Sequence, residues 1–300
     1  MTDIRQCRLW ASFMEDLGWG VENIRTRDKD NFVYLKKIPL FGTILKAPRI
    51  SLPLPFSEIE ALAKDKGVFF SKIEPKTSLP NSKVLSELKD SGYASERWSL
   101  HPTKTIVLDL RKSSDELLKN MEKDTRYSIR ASQRRGIRVV KSNDLNRFLK
   151  LYRATAKRQG FWIPEKDLGS LWDIFSNEGK AFILIAVWNH TDIAGCLILH
   201  HEKSAYYYHA ASLREYKEFF APYLLIWESM NQAKKLGLKE LDLEGIYDHR
   251  FPATNKWKGF THFKKGFRGE EVELLGSFVK NYNPILSTFY KVSNFSLNFR

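Results

Sequence analysis

Residues 181–212 read AFILIAVWNHTDIAGCLILHHEKSAYYYHAAS, a stretch in which long apolar runs alternate with short polar segments. The first two runs, AFILIAVW and DIAGCLILHHE, are joined by NHT, and SAYYYHAAS follows as a third run. Apolar segments of this length, rich in β-branched and aromatic residues and separated by tight turns, are typical of adjacent antiparallel strands. The stretch therefore predicts a three-stranded antiparallel meander.

Helices and further strands surround this meander. On its carboxyl side, PYLLIWESMNQAKKLG predicts a long helix and LKELDLEG predicts a strand. On its amino side, TKTIVLDL at 103–110 predicts a strand, and Ser113 with Glu116 forms a capping box. That box opens one helix over SSDELLKNMEKDTRYSIRASQRRG. The alternation of helix and strand predicts a mixed α/β domain over residues 103–279.

The residues before this domain alternate in the same way. NFVYLKKIP, TILKAPRISL and VFFSKIEP predict strands, and Ser57 with Glu60 predicts a capping box for an intervening helix. We therefore expect a first domain over residues 1–102, with a boundary near WSLHPT. AKDKGVFF and AKKLGLKEL each contain a helix end, a glycine and a strand start. This echo indicates either duplication of one α/β half or ordinary helix-to-strand punctuation.

Composition indicates a globular chain with polyanionic partners. Of 300 residues, 43% are hydrophobic, and 49 Lys plus Arg against 35 Asp plus Glu give a formal net charge of +14. A surface this basic favours nucleic acid, phosphate-bearing substrates or an anionic membrane face. Cys7 and Cys196 are the two cysteines, with no CxxC pair, which argues against a disulfide framework or a zinc site and favours the cytoplasm.

No apolar run is long enough for a membrane helix. The longest, AFILIAVW and YLLIW, fall well short of the roughly 20 residues that a spanning helix needs. Any membrane contact is therefore expected to be peripheral, at the cytoplasmic face.

A basic row lies in the segment before residue 136. Arg126, Arg130 and Arg134 recur at every fourth position, so they share one face of a helix, and Arg135 follows directly. Such a row can follow a phosphate backbone, or it can be an ordinary solvated basic face. The net charge favours anion binding.

The segment SLREYKEFFAPYLL joins the third meander strand to the long helix. In the GNAT acetyltransferase fold, this junction carries a glycine-rich turn whose N–H groups hold the cofactor pyrophosphate. Here Phe219, Phe220, Ala221 and Pro222 occupy the junction. Proline lacks an N–H donor and bulky rings block a close approach, so a GNAT-like fold with this junction predicts a donor other than coenzyme A.

A second aromatic and cationic segment, FKKGFRG, covers residues 263–269. Two phenylalanines bracket Lys264 and Lys265, and two glycines are expected to let the backbone turn sharply. Hydrolase, P-loop, Rossmann and HExxH patterns are absent from the chain.

The order and spacing of several segments resemble the Fem-type (FemABX) peptidyltransferases. These segments are RLWASFMEDLGW, KIEPK, TIVLDL, KDTRYSIRASQRRGIRV, YYYHAASLREYKEFFAPYLL, GLKELDLEGI and FKKGF. The resemblance implies an α/β (α+β) chain with two GNAT-like domains packed together and no coiled-coil arm. It also implies that residues 280–300 return to the first domain.

The resemblance further implies a cytoplasmic aminoacyltransferase. Such an enzyme moves an amino acid from aminoacyl-tRNA to the stem peptide of a nucleotide-linked or lipid-linked peptidoglycan precursor. It has no DNA partner, and it needs no metal or organic cofactor because the donor ester is already activated. The alternatives are a GNAT-type N-acyltransferase with another acyl donor and a noncatalytic RNA-binding protein that uses Arg126, Arg130, Arg134 and Arg135.

Site residues follow from the same resemblance. Phe263 and Lys264 match a Phe-Lys pair of the family, and a fixed Lys264 ammonium would stabilise the oxyanion of acyl transfer. Glu74 matches an acidic residue that could accept the proton of the attacking amine. The predicted substrate-binding residues are Phe263, Tyr207, His209, Tyr223 and Lys265.

The chain also departs from the family pattern. His209 replaces a second substrate-binding tyrosine, and a precursor-binding lysine of the first helix corresponds to Ser12 or Met14. Ile163 stands where the family has an arginine before a proline. These departures concern recognition of the acceptor more than the general reaction.

Overall fold

The computed structural model of the chain describes residues 2–26 and 29–293. The α-helices of these residues are α1 (Arg8–Asp16), α2 (Phe56–Asp65), α3 (Ser82–Asp90), α4 (Ser114–Asn120), α5 (Lys123–Arg134), α6 (Leu145–Gln159), α7 (Glu165–Asn177), α8 (Ala221–Lys235), α9 (Lys258–Lys265) and α10 (Pro284–Ser293). The strands are β1 (Gly20–Thr26), β2 (Lys29–Ile38), β3 (Gly42–Ile50), β4 (Val68–Pro75), β5 (Ala94–Ser95), β6 (Lys104–Asp109), β7 (Arg138–Ser142), β8 (Ala181–Trp188), β9 (Thr191–His201), β10 (Ser204–Ser212), β11 (Glu240–Gly245), β12 (Glu270–Glu273) and β13 (Phe278–Asn281).

The predicted meander is confirmed as β8, β9 and β10, which pair antiparallel in chain order. The turn between β8 and β9 consists of Asn189 and His190, whose φ angles are 43° and 62°. Two successive positive φ angles characterise the tight hairpin turn whose twist matches that of the flanking strands. The meander lies in a seven-stranded sheet with the order β12-β6-β11-β10-β9-β8-β7.

The second sheet has six strands in the order β1-β2-β3-β4-β13-β5. Its strands β3 and β4 are parallel, and β13 pairs antiparallel with both β4 and β5. The late strand β13 therefore lies inside a sheet otherwise formed by early residues, with Phe278 opposite Ile73 on one side and Ser95 on the other.

The chain forms two compact units. The meander unit contains residues 105–247 and 256–271, and the flanking unit contains residues 2–104, 248–255 and those from 272 onward. The predicted division into 1–102 with 280–300, and 103–279, stays a prediction about domains, and its last residues, 294–300, lie outside the described residues. In the described residues the longest helices, α6 and α8, have 15 residues each, so no coiled-coil arm occurs there.

Among the residues with described structure, no helix is both long and apolar enough to cross a membrane.

One of the two predicted capping boxes is confirmed. Ser113 Oγ accepts from the Glu116 N–H at 3.2 Å, and the Glu116 carboxylate accepts from the Ser113 N–H at 2.8 Å. The box predicted for Ser57 and Glu60 is wrong, because α2 begins at Phe56 and Ser57 already lies inside the helix. Glu60 instead accepts from the hydroxyl of Tyr282, a residue far along the chain.

The single helix predicted after Ser113 is two helices, α4 and α5. The break is at Met121, whose φ and ψ of −61° and 158° are extended. Arg126 donates to the Lys119 and Met121 carbonyls at the end of α4, and the Glu122 N–H donates to the Gly266 carbonyl at 2.9 Å. These bonds pair backbone groups that would have bonded within a continuous helix, so the break leaves few backbone groups without a hydrogen-bond partner.

Two lysines lie buried side by side in the flanking unit. Lys46 on β3 is the register partner of Lys72 on β4, and their side chains are 6% and 7% exposed. The Lys46 ammonium lies 4.6 Å from the centroid of the Trp19 ring. Burial and the charge of Lys72 together lower the pKa of Lys46 to about 7, although the Glu74 carboxylate opposes both effects.

We expect Lys46→Met to reduce the pH dependence of stability. Because burial lowers the folded-state pKa of Lys46 from 10.5 to about 7, the unfolded chain binds more protons between these values. Stability should therefore rise with pH, by about 2–3 kcal/mol from pH 6 to pH 9 from this group alone. Urea unfolding of wild type, Lys46→Met and the exposed control Lys150→Met measures this increment, and an equal rise in all three proteins would contradict it.

Candidate active site

The meander strand β10 and its parallel neighbour β11 pair over only three residues. Ser204, Ala205 and Tyr206 of β10 are opposite Glu240, Leu241 and Asp242 of β11, and the register between the two strands ends there. Beyond this point β10 continues to pair with its other neighbour, β9, through a bulge between Tyr207 and His209. The two strands therefore separate within an otherwise continuous sheet, which exposes backbone groups at their carboxyl ends.

The end of β11 is shaped by a side chain. Asp242 Oδ1 accepts from the Glu244 N–H at 2.7 Å and from the Thr105 hydroxyl. Glu244 adopts a φ of 59°, a left-handed conformation that is uncommon for a residue with a Cβ. The register of β11 against β6 shifts between Asp242 and Gly245. This bulge interrupts the ladder between β11 and β6, which resumes at Gly245 opposite Thr105.

Lys264, on α9, lies against the carbonyl groups at the end of β11. Its Nζ donates to the Gly245 carbonyl oxygen at 2.8 Å and lies 3.5 Å from the Glu244 carbonyl oxygen. The ammonium also lies 4.9 Å from the centroid of the Phe260 ring, a favourable cation–π distance. Burial lowers the pKa of Lys264 to about 8, although the carboxylates of Glu244 and Asp242 oppose this effect. Near pH 7 the group is therefore mostly an ammonium held in a fixed position.

The glycines after α9 do not provide the predicted sharp turn. Neither Gly266 nor Gly269 has a positive φ, whereas Arg268 between them has a φ of 57°. A Cβ at Gly266 would lie 2.2 Å from Thr125 Oγ1, and one at Gly269 would lie 2.5 Å from Ile106 Cγ2. The expectation of a glycine turn was wrong, because both positions need glycine for close packing of this segment.

Three aromatic rings, those of Tyr223, Phe263 and Phe267, pack against one another at the end of α9. Tyr223, on α8, lies 4.7 Å from Phe263 and 6.2 Å from Phe267, measured between ring centroids. Burial raises the pKa of the Tyr223 hydroxyl, and the nearby carboxylates of Asp124 and Glu122 raise it further. The structure thus brings two of the predicted site residues, Phe263 and Tyr223, into contact, and Lys264 directly follows Phe263 on α9.

Lys265 has a different environment. Its ammonium lies 2.7 Å from the Glu271 carboxylate, in an ion pair that is partly exposed on both sides. Its predicted role in substrate binding stays a prediction.

The two predicted substrate ligands on β10 differ in exposure. Tyr207 is 5% exposed and belongs to the core of the meander unit, where its hydroxyl contacts the Cys196 thiol. His209 is half-buried, and its Nδ1 lies 3.2 Å from the hydroxyl of Tyr152 on α6. The structure gives Tyr207 a packing role, and for both residues substrate binding stays a prediction.

Glu74 lies on β4 in the flanking unit and is fully buried. Its carboxylate accepts from the Leu100 N–H at 2.7 Å, the His101 N–H at 3.1 Å and the Ser277 hydroxyl at 2.7 Å, and it lies 2.9 Å from His101 Nδ1. His101 and these donors hold the pKa of Glu74 well below its usual range despite burial. A carboxylate so fully paired is a weak base, which argues against the proton-acceptor role predicted for it.

The four predicted RNA-binding arginines separate into two kinds. Arg126 is half-buried and donates to the Lys119 carbonyl at 3.0 Å, so it holds the end of α4 in place. Arg130, Arg134 and Arg135 are exposed along α5 and at its end. The periodicity correctly places Arg130 and Arg134 on an exposed helix face, whereas their predicted contact with RNA stays a prediction.

Two aromatic residues near these arginines were missed by sequence reasoning. Tyr127, on α5, is 56% exposed, an unusual fraction for a large ring. Phe220, the residue before α8, has a left-handed φ of 56°, which a ring-bearing side chain adopts at a cost in strain. The motif FFAP indicated bulk at this junction, but no sequence signal marks a strained phenylalanine.

The residues that depart from the family pattern are half-buried or buried. Ser12 and Met14 are half-buried on α1, and Ile163 is 9% exposed in the segment before α7. Within residues 2–26 and 29–293, no three His, Cys, Asp or Glu side chains are grouped as a metal site requires.

A model of the FemAB family matches residues 55–192 and 184–295, which together include most of the chain. The chain belongs to the FemAB family. A curated relative of this FemAB member is the lipid II:glycine glycyltransferase of Staphylococcus epidermidis, 23% identical over 209 residues. The match covers 61% of this chain and 50% of the relative. The corresponding enzyme of Staphylococcus aureus is 24% identical over 209 residues, with the same coverage, so the chain spans about half the length of these relatives.

Solved structures show the fold of this FemAB member. The crystal structure of FemX matches with a TM-score of 0.82 at 18% identity, covering 96% of this chain and 94% of that one. A tandem GNAT protein from the clavulanic acid biosynthesis pathway matches with a TM-score of 0.56 at 10% identity, covering 93% of this chain and 89% of that one. The predicted α/β fold with GNAT-like domains is therefore confirmed.

Proposed function

We propose that this FemAB member transfers an amino acid from aminoacyl-tRNA to an amine on the stem peptide of a nucleotide-linked or lipid-linked peptidoglycan precursor. The observation that carries the proposal is the enclosed, fixed ammonium of Lys264 where β10 and β11 separate. The printed names of the curated relatives, which are glycyltransferases for lipid II, support this acceptor class.

In the proposed reaction, negative charge develops on the carbonyl oxygen of the donor ester, where a cation can stabilise it. The stem-peptide amine attacks the carbonyl carbon of the donor ester, a C–N bond forms, and the carbonyl oxygen becomes an oxyanion. The ribose oxygen then leaves with the electrons of the broken C–O bond and ends as a hydroxyl, taking up the proton that the amine loses. A positioned ammonium stabilises the oxyanion more than the neutral ester, which lowers the barrier.

The surroundings of Lys264 suit that role. Its bond to the Gly245 carbonyl and its contact with the Phe260 ring fix the ammonium before substrate arrives. An ammonium donates three hydrogen bonds, so the group retains donor capacity for a substrate oxygen. Preorganisation of this kind avoids a reorganisation cost during the reaction.

The junction before α8 argues against an acyl-CoA donor, which is one form of the first alternative, a GNAT-type N-acyltransferase with another acyl donor. Phe220 adopts a left-handed conformation there, and its neighbour Phe219 packs 4.6 Å from the Trp188 ring. Rings and a proline thus occupy the place where a pyrophosphate would need open backbone N–H groups.

Transfer of labelled amino acids tests the proposal directly. The chain is incubated with a pool of tRNA charged with radiolabelled amino acids and, in parallel, with nucleotide-linked or lipid-linked muropeptides. Label in a precursor would establish the reaction class and identify the amino acid. Label in neither acceptor, together with retained tRNA binding, would favour the second alternative, a noncatalytic RNA-binding protein.

We expect the rate of transfer to fall as the pH rises through about 8. Burial places the pKa of Lys264 at about 8, so the catalytic ammonium is lost above that pH. The measurement is the ratio of single-turnover rates of wild type and Lys264→Arg between pH 6.5 and 9.5, because a guanidinium stays charged throughout. A ratio that rises through pH 8 would mean that neutral Lys264 acts, as a base.

A further inference from the structure

We infer that Tyr127 and Phe220, with Arg134 and Arg135, form a stacking platform for the bases of a single-stranded RNA end. We call these four residues the Tyr127 platform. The inference rests on the proposed function in one respect: it assigns the single-stranded end of the tRNA donor to this surface.

The platform combines open aromatic surface with guanidinium groups. The Tyr127 ring is 56% exposed and lies 6.3 Å from the Phe220 ring at an interplanar angle of 70°. The Arg134 guanidinium lies 6.0 Å from the centroid of Tyr127, and that of Arg135 lies 5.2 Å from the centroid of Phe220. Rings that stack on bases and cations that follow phosphates are the two components of sites for single-stranded nucleic acids.

Within the part of the chain that the structure describes, no carboxylate lies within ion-pair distance of Arg130, Arg134 or Arg135. Among the described residues, seven other arginines each form an ion pair with an aspartate or glutamate, namely Arg5, Arg49, Arg111, Arg147, Arg153, Arg250 and Arg268. The α5 face therefore keeps its full positive charge for an external polyanion.

A chain of ring contacts connects the platform with the candidate active site. Phe220 lies 6.3 Å from Tyr223, and Tyr223 lies 4.7 Å from Phe263, the residue directly before Lys264. All these residues belong to the meander unit. An RNA end whose bases stack on Tyr127 could therefore follow aromatic surface toward the ammonium.

The same features distinguish RNA from other anionic ligands. An anionic membrane face offers charge but no flat rings to stack on Tyr127. A single-stranded RNA end offers both unstacked bases and phosphates, and sequence-tolerant binding to such ends relies on aromatic side chains and arginine. The strained φ of Phe220 places a ring, rather than an open N–H group, beside Tyr127.

Binding of a short RNA tests the platform. The probe is a fluorescein-labelled RNA heptamer that ends in CCA, measured by anisotropy with the full chain. Tyr127→Ala should weaken binding about fivefold to 150-fold, the range observed for loss of one stacked base, and Tyr127→Phe should retain it. Trp98→Ala is the matched control, since Trp98 is also 56% exposed but lies in the flanking unit. Equal affinity for wild type and Tyr127→Ala would overturn the inference.

An abasic probe separates stacking from charge. A heptamer without its last three bases should bind wild type about as weakly as the intact heptamer binds Tyr127→Ala, and should bind both proteins equally. The double variant Arg134→Ala/Arg135→Ala should reduce the slope of log affinity against log salt by about 1.4, because each phosphate contact on a single strand contributes about 0.7. The charge-matched control Lys150→Ala/Lys157→Ala, on the exposed side of α6, should leave that slope unchanged.

Two further outcomes would overturn the inference. If Tyr127→Ala weakened binding to phosphatidylglycerol vesicles but not to the heptamer, the surface would be a membrane contact. If the abasic probe bound wild type as tightly as the intact heptamer, the arginines alone would account for affinity.

The platform and the proposed function can fail separately. If wild type bound the heptamer through Tyr127 but transferred no amino acid, the platform would stand and the transferase proposal would fall. If wild type and Tyr127→Ala transferred amino acids and bound RNA equally, the transferase would stand and the platform would fall.

Discussion

Lys264→Ala is expected to reduce aminoacyl transfer by about 100-fold to 1,000-fold, the usual effect of removing one oxyanion donor. The Lys264 ammonium is the charge that the β11 carbonyl of Gly245 holds in place, and alanine leaves the developing oxyanion without it. The measurement is single-turnover transfer from charged tRNA at pH 7. Affinity for uncharged tRNA is measured in the same samples and should stay within about twofold, since a transition-state contact contributes little to ground-state binding.

Lys258→Ala provides the matched control. Lys258 is an exposed lysine at the start of the same helix, α9, so its loss changes the net charge equally. Its transfer rate should equal that of wild type. A Lys264→Ala rate close to wild type would remove Lys264 from the mechanism, and a parallel loss of thermal stability would indicate a structural role for its bond to Gly245.

Glu74→Ala is expected to lower the free energy of unfolding by about 3–5 kcal/mol, because several buried donors lose their acceptor and each unsatisfied buried group costs about 1–3 kcal/mol. The buried carboxylate accepts from two backbone N–H groups and the Ser277 hydroxyl and lies beside the His101 ring. Alanine leaves these groups without an acceptor in a site from which water is excluded. Urea unfolding at pH 7 measures the difference, and a loss below about 1 kcal/mol would contradict it.

Glu74→Gln distinguishes anchoring from catalysis. Glutamine keeps the size and one acceptor oxygen but cannot accept a proton. If Glu74 serves only to hold the structure together, the folded variant transfers at close to the wild-type rate. If Glu74 is a catalytic base, its loss lowers the transfer rate by about 100-fold or more. The stability difference should narrow as the pH falls below 4.5, because the depressed folded-state pKa of Glu74 adds stability only while the unfolded group is ionised.

Local patterns predicted local structure well. The meander follows from apolar runs joined by the short segment NHT, and the Ser113 box follows from two side chains three residues apart, so each depends on contacts within one short segment. The features that the sequence did not predict depend on contacts between residues that are far apart in the chain. The bond from Tyr282 to Glu60 joins residues far apart in the chain, as does the contact between Gly266 and the start of α5.

The contrast between contacts within one segment and contacts between distant residues also applies to the candidate active site. Phe263 and Lys264 are neighbours on one helix, so a motif predicts their joint presence, and their proximity to Tyr223 is a finding of the fold. Helical periodicity identified the face of Arg126 but could not show that this side chain holds the end of α4. The fourfold pairing of Glu74 involves residues up to Ser277, which no local pattern contains.

The position of β13 has a consequence for synthesis on the ribosome. The flanking unit contains the earliest described residues, yet its sheet remains incomplete until residues 278–281 emerge and pair with β4 and β5. The seven-stranded sheet of the meander unit needs only residues up to 273, the end of β12, and is thus the first to have all its strands outside the exit tunnel. We therefore expect the seven-stranded sheet to be complete before the six-stranded one, whereas domains usually fold in their order along the chain. Truncation before residue 278 would therefore leave β4 as an unpaired edge, a template for aggregation.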